Sequence, residues 1–391
     1  MIIRSPQIFR EKQNIDARVR HRVTAIDVQK RTVRAEDLEK GRFMEERFDH
    51  LLIATGASPI LPKVPGINAR GVYTLSTLQS GIEVRSAVDQ KRPRRVVLVG
   101  AGYIGLEMAE NLIHRGIVVS IVEKAPQVMN TIDPDLAAFL AEELKKNGAQ
   151  LFLEESLQGF ELEGGEVRAV ITDLRPLPAD LVIMGLGVRP NSRLAKEAGV
   201  SIGETGGIKV NEKMQTQIAG VWAAGNCAEA LHLVSRRPVV FALGTIANKQ
   251  GRVAGINIAG GQAAFPGVVG TAMVKVFDWE VARTGLQEKE AKQAGIASAS
   301  VKIEGRTRAA YYPGAGKIFV KIIFEPGSGR LLGGQIVGQE GAGKRIDVLA
   351  TALHAGLTVE EMINLDLGYS PPFSPAWDPI LIACRQAAGL L

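Results

Sequence analysis

The chain has 391 residues, 46% of them apolar and 23% charged, which excludes a disordered or low-complexity protein and allows two or three domains, each with its own core. Lys and Arg outnumber Asp and Glu by 47 to 41, a net charge of +6, but the two signs are interspersed and no long basic block points to nucleic acid or a membrane surface. Cys227 and Cys384 lie far apart and form no CxxC pair, no apolar run reaches the length of a membrane span, and the N-terminus lacks a signal-peptide core. The expectation is a soluble cytoplasmic protein in a reducing compartment.

In chain order, Ser5 followed by Pro6 predicts a short capped helix over SPQIFREKQ. Val23–Asp27 and Thr32–Arg34 alternate in polarity and predict strands of a small antiparallel ribbon. Phe48–Thr55 (FDHLLIAT) reads as a buried strand ending at Gly56, with a connector rich in proline (Pro59, Pro62, Pro65) after it. The cluster Lys91-Arg92-Pro93-Arg94-Arg95 reads as a solvated interdomain linker rather than a localisation signal.

Next comes RVVLVGAGYIGLEMAENLIHRGIVVSIVE, from Arg95 to Glu123. An apolar strand runs into Gly100-Ala101-Gly102-Tyr103-Ile104-Gly105, an amphipathic helix follows, and a second apolar strand ends on an acid. The three glycines of such a loop serve a tight turn, close backbone approach to a pyrophosphate, and close helix–strand packing. The helix N-terminus offers free N–H groups and the positive end of its dipole to the phosphates. Glu123 stands 18 residues after Gly105, where an acid binds a ribose 2′-hydroxyl. A carboxylate there favours NADH, because it repels a 2′-phosphate, while Lys124 beside it keeps NADPH open.

Strand–helix alternation continues to Asp180–Met184 and the turn Gly185–Asn191, which completes a nucleotide-binding domain. Gly220–Ala224 predicts another strand, ending at Gly225-Asn226, and a helix is expected from about Thr245 to Ile258. Beyond Pro266, Lys317–Phe324 and Leu331–Val337 form a predicted hairpin, helices are expected near 343–355 and 358–364, and the tail YSPPFSPAWDP is rich in proline and aromatics.

The order Ala54-Thr55-Gly56, the loop at Gly100, then Ala223-Ala224-Gly225-Asn226 resembles the flavoprotein disulfide reductases, in which a nicotinamide domain is inserted into a flavin domain. KRIDVLATAL (344–353) and YSPPFSPAWDP (369–379) resemble the dimerisation domain of their coenzyme A disulfide reductase, NADH oxidase and NADH peroxidase group. The resemblance covers essentially the whole chain. It implies an α/β fold with a Rossmann-type nicotinamide domain (92–214) inside a partial, N-terminally truncated FAD domain (1–91 and 215–263), followed by an α+β dimerisation domain (264–391). It implies FAD and NADH, or NADPH, as cofactors, a homodimer, and hydride transfer from the nicotinamide through the flavin to a disulfide, peroxide or oxygen.

Residue by residue, the resemblance assigns Gly100, Gly102, Gly105 and Gly187 to the nicotinamide dinucleotide, with Glu123 at its ribose, and Thr55, Gly56, Gly225 and Asn226 to the flavin. Tyr103 resembles the aromatic gate of the nicotinamide pocket; its alternative is local packing in the first helical turn. Glu107 resembles a carboxylate near the flavin, or is an ordinary solvated helix acid. Tyr369, Trp377 and the Tyr311-Tyr312 pair resemble residues that reach the partner subunit's active site, or are core and interface aromatics. Asn248 resembles a position near a thiol substrate, or is a helix-surface amide.

Two features point elsewhere and fail on chemistry. Gly338–Arg345 mimics a phosphate-binding loop, but Arg345 stands where a magnesium-binding Ser or Thr is required. Cys227 has no neighbouring His, Lys or Arg in sequence to lower its pKa and reads as a buried structural cysteine. The family's first Gly-rich unit and its redox cysteine have no counterpart before Ala54, and Asn226 stands where the family usually carries an aspartate. Two sheet segments with unpaired apolar edges are expected in consequence. The competing expectation is therefore a flavin-poor, NAD(H)-binding dimer without catalysis.

Overall fold

The computed structural model describes residues 4–391, and these divide into two compact units: 4–57 with 190–230 and 238–266, and 58–189 with 231–237 and 267–391.

In the first unit, Pro6–Gln13 is helical, with the Ser5 side chain accepting from the Ile8 N–H. The antiparallel ribbon has a third strand beyond the two expected: His21–Asp27 pairs with Thr32–Asp37, which pairs with Arg42–Arg47. The third escaped the sequence reading because RFMEER is almost wholly exposed and carries no apolar alternation. The buried strand expected over Phe48–Thr55 is corrected. Only Leu51–Ile53 is regular, it pairs in parallel with Val221–Ala223 in a two-stranded sheet, and Leu52 is exposed. A three-residue pair has few backbone bonds to offer, so the apolar run outlasts the strand. Around it Ile53, Ile208, Val221, Ala223 and Cys227 form a small core, and the helix Gly244–Ile258 buries Gln250, Val253 and Ala254.

The second unit is built on a parallel five-stranded sheet in the order Val72–Thr74, Leu181–Met184, Arg95–Val99, Val118–Glu123, Gln150–Leu153. Strands buried on both faces read as continuous apolar runs, which is why RVVLV and VVSIVE were legible. The edge strand Val72–Thr74 comes from upstream of the alternating segment and is too short to read in sequence. A helix, Leu78–Lys91, begins at a Thr77–Ser80 capping box and leads directly to the strand at Arg95. The basic cluster is the turn joining them, with Lys91 on Glu166 at 3.0 Å and Arg95 on Asp180 at 3.3 Å.

The same unit contains a five-stranded antiparallel sheet ordered Ala272–Val276, Trp279–Gly285, Leu331–Gly338, Lys317–Phe324, Ala299–Arg306. The expected hairpin is its centre, and helices Ala342–Ala355, Val359–Ile363 and Pro379–Ala388 bury their apolar faces in the core next to it. Arg345 is consumed structurally: it donates to Asp378 at 2.8 Å and to the Thr307 carbonyl at 2.9 Å. Among the described residues no helix is long and apolar enough to cross a membrane, and no cluster of His, Cys, Asp or Glu is placed to hold a metal.

Candidate dinucleotide site

The strand Arg95–Val99 ends at Gly100, whose φ of +105° lies where residues with a Cβ are strained. A Cβ there would also meet the Gly185 carbonyl oxygen at 2.5 Å. On Gly105 it would strike the Gly100 carbonyl oxygen, so this glycine lets the helix sit against the strand turn. Gly102 differs: no atom lies within 4 Å of the position a Cβ would take. The helix Tyr103–Ile113 starts on Gly102 with no side-chain cap. Its first N–H groups therefore stay available to an anion, beside a space that only the absence of a side chain keeps clear. A pyrophosphate fits this cradle.

Glu123 closes the cradle at the end of the adjacent strand. Its Oε2 accepts from the Ala101 N–H at 2.8 Å and its Oε1 from the Ala125 N–H at 2.9 Å. The carboxylate thus stands against the glycine loop with lone pairs left for a hydroxyl. Met129, buried and left-handed at φ 50°, donates its N–H to the Ala101 carbonyl at 2.8 Å. Thr131 donates its hydroxyl to the Tyr103 hydroxyl at 3.3 Å. Burial raises the Tyr103 pKa above its usual value, against the opposing Thr131 bond. Glu107, one turn along, is exposed, and its carboxyl is raised by partial desolvation and then by Glu110. Gly187 has a φ of +85°, and its carbonyl accepts from the Ile60 N–H at 2.9 Å.

The flavin-side residues lie in the other unit. The Thr55 hydroxyl donates to the Asn191 carbonyl at 2.6 Å, and Asn191 answers with its amide to the Thr55 carbonyl at 2.9 Å and its N–H to Gly56 at 2.9 Å. The Gly225 N–H donates to the Gln250 side chain at 2.8 Å. Asn191 and Gln250 were not singled out in sequence, since a lone amide carries no pattern until its partner is known. The Asn226 Oδ1 is buried without a hydrogen-bond partner among the described residues. Buried polar atoms are rarely left so, and a ligand hydroxyl of a ribityl chain would satisfy it. Asn248 is exposed on its helix.

In the antiparallel sheet's surroundings, Tyr311 and Tyr369 pair through their hydroxyls at 3.2 Å, which raises the Tyr311 pKa, and Tyr312 is exposed. The Arg385 guanidinium lies 5.0 Å over the Trp377 ring. Cys227 is buried with its thiol on the Ile53 and Ala224 carbonyls, and burial pushes the Cys384 thiol up to about 12. Neither sulfur is placed to exchange with a disulfide.

The family model described as pyridine nucleotide-disulphide oxidoreductase matches residues 2–263, and that of its dimerisation domain matches residues 271–379. An NAD(P)H coenzyme A polysulfide/persulfide reductase of Pyrococcus horikoshii is 40% identical over 382 residues, covering 97% of this chain and 84% of that protein. An NADH oxidase of Methanocaldococcus jannaschii is 37% identical over 389 residues, covering 99% of this chain and 86% of that protein. Among solved structures, an NAD-dependent persulfide reductase from A. fulgidus superposes with a TM-score of 0.95 at 38% identity, covering 99% of this chain and 72% of that one. A water-forming NADH oxidase from Lactobacillus brevis, bound to NADH, has a TM-score of 0.92 at 26% identity, covering 97% and 84%. The fold is the α/β arrangement of this group, with its dimerisation domain, and the group's cofactors are FAD and NAD(P)H. The chain belongs to the pyridine nucleotide-disulphide oxidoreductase family.

Proposed function

We propose that this chain is an NAD(P)H-dependent flavoprotein oxidoreductase that works as a cytoplasmic homodimer on a small-molecule acceptor, a disulfide of the coenzyme A type, peroxide or oxygen. The observation that carries the reading is the cradle at Gly102, an uncapped helix N-terminus with open space in front of it and Glu123 alongside. When bound, the nicotinamide supplies a hydride and the flavin accepts it. The chain's own residues do the rest. Gly100, Gly102, Gly105 and Gly187 shape the pyrophosphate seat, and Glu123 accepts from the ribose. Tyr103 excludes water from the nicotinamide pocket, and Glu107, one helical turn along, is assigned as the carboxylate beside the flavin.

On the flavin side, Thr55, Gly56, Gly225 and Asn226 are the binding residues, and the orphaned Asn226 oxygen supports that assignment. Asn248, Tyr312, Trp377 and Tyr369 are assigned to the acceptor side. The domains are read as 1–91 with 215–263 for the flavin, 92–214 for the nicotinamide and 264–391 for dimerisation. A start of the second family match at residue 271 supports the last boundary. The purified chain should show the visible absorbance bands of flavin and consume NADH in the presence of oxygen. A protein without flavin that fails to oxidise NADH after FAD is added overturns the enzymatic reading.

The burial of both cysteines favours a second reading, an NAD(H)-binding dimer without disulfide catalysis. It predicts NAD⁺ binding with no turnover of disulfide, peroxide or oxygen. Stoichiometric flavin with NADH oxidation would exclude it.

A further inference from the structure

The loop after Glu123 is tied inward to the dinucleotide cradle and outward to the antiparallel sheet of the same unit. Inward, the Met129 N–H, the Asn130 amide and the Thr131 hydroxyl reach Ala101, Glu123 and Tyr103 at 2.8, 3.5 and 3.3 Å. Outward, Arg283 donates from the strand Trp279–Gly285 to the Thr131 carbonyl at 3.0 Å. Arg283 is 5% exposed, and Glu290 holds its guanidinium through bonds of 3.1 and 2.7 Å. Gln287 and Lys289 both donate to the Asn130 carbonyl, at 3.3 and 2.6 Å. Three residues on, Asp133 is locked by Gln335, which accepts its N–H at 2.6 Å and donates to its carboxylate at 2.7 Å, and by Lys321 at 3.1 Å.

Two features separate this clasp from ordinary packing. The gripped carbonyls belong to Asn130 and Thr131, whose side chains touch the ribose carboxylate and the gate tyrosine. The loop also enters them through Met129, a non-glycine residue in the left-handed region, a conformation that a Cβ disfavours and that persists only when its surroundings enforce it.

We propose that Arg283, with Gln287 and Lys289, is a positioning residue for the dinucleotide site: by holding Asn130 and Thr131 it keeps Glu123 and Tyr103 in their binding geometry. The inference rests on the nucleotide-site reading above. It makes NAD(H) affinity depend on side chains more than 150 residues away in sequence.

The test titrates the full chain with NAD⁺, which binds without turning over, and follows hydrogen–deuterium exchange across 124–133. Arg283→Met should weaken NAD⁺ binding about tenfold and Lys289→Ala about threefold, each with faster exchange confined to that loop. Arg283→Lys should recover most of the loss, since one donor to Thr131 is restored. Should Arg283→Met fail to fold, Lys289→Ala, an exposed side chain, decides the matter alone. Variants that exchange faster yet bind NAD⁺ as the parent does, or that leave exchange unchanged, overturn the proposal while the site reading stands. A parent chain that does not bind NAD⁺ overturns both.

Discussion

Gly102 and Gly105 are three residues apart in one motif, yet the space around them gives them different work. A methyl group on Gly105 meets backbone; a methyl group on Gly102 meets nothing until a ligand arrives. Gly102→Ala should therefore leave the thermal midpoint within about 2 °C of the parent while weakening NAD⁺ binding. Gly105→Ala should lower both, as paired melting and titration experiments would reveal. At Glu123, substitution by Gln keeps one acceptor but removes the charge that opposes a 2′-phosphate. The ratio of NADPH to NADH affinity should rise by about tenfold, and an unchanged ratio would dismiss Glu123 as the selecting residue.

His232 offers a check on pH. Burial holds its pKa down, to about 4, and its Nδ1 accepts from the Ser235 N–H, so the folded protein keeps it neutral. Because the folded value lies below the unfolded one, its stabilising contribution is complete above the unfolded pKa near 6.5 and is lost as pH falls toward 4. The melting temperature should drop more steeply between those values in the parent than in His232→Asn. Parallel curves would remove His232 from the acid response.

At the scale of elements, two helices next to the antiparallel sheet are joined through one ion pair. Arg345, in Ala342–Ala355, binds Asp378, which caps Pro379–Ala388 by accepting from the Ile380 N–H at 2.9 Å. Both partners are nearly buried. Arg345→Met strands the Asp378 carboxylate and the Thr307 and Phe373 carbonyls and should cost about 3 kcal/mol, read by urea unfolding. Lys344→Met, on an exposed side chain one residue away, should cost under about 0.5 kcal/mol. Equal losses would show that the pair does not join the helices. The motif that imitates a phosphate loop in sequence is thus a helix-packing device. Similarly, Lys321 is buried against its charge, but Asp133, Asp135 and Glu288 outweigh that burial and raise its pKa, so it remains a cation that ties sheet to loop.

At the scale of the whole molecule, Tyr311, Phe373, Tyr369 and Trp377 are all substantially exposed in the single chain. Water-facing aromatics in such number are costly to solubility, and a second subunit of the proposed homodimer would cover them. Sedimentation should give twice the 41.9 kDa chain mass, and Phe373→Glu should shift it toward the monomer. A parent protein that sediments as a monomer at micromolar concentration would oppose the homodimer.

The nucleotide loop, its two flanking strands and Glu123 were legible in the sequence because their signals are local: buried parallel strands read as apolar runs, and glycine spacing follows from the backbone turn. The hairpin and the helices Ala342–Ala355 and Val359–Ile363 were legible for the same reason, whereas Pro379–Ala388, which follows a tail rich in proline and aromatics, was not read as a helix. Tertiary structure alone decided what depends on partners distant in the chain. It shortened the strand at Leu51–Ile53, added the exposed strand Arg42–Arg47, and drew the edge strand Val72–Thr74 into the nucleotide sheet. It also paired Asn191 with Thr55, Gln250 with Gly225 and Arg283 with Thr131. A hydrogen bond across 136 or 152 residues leaves no periodicity in either segment, so its existence is a property of the packed chain and not of the sequence around it.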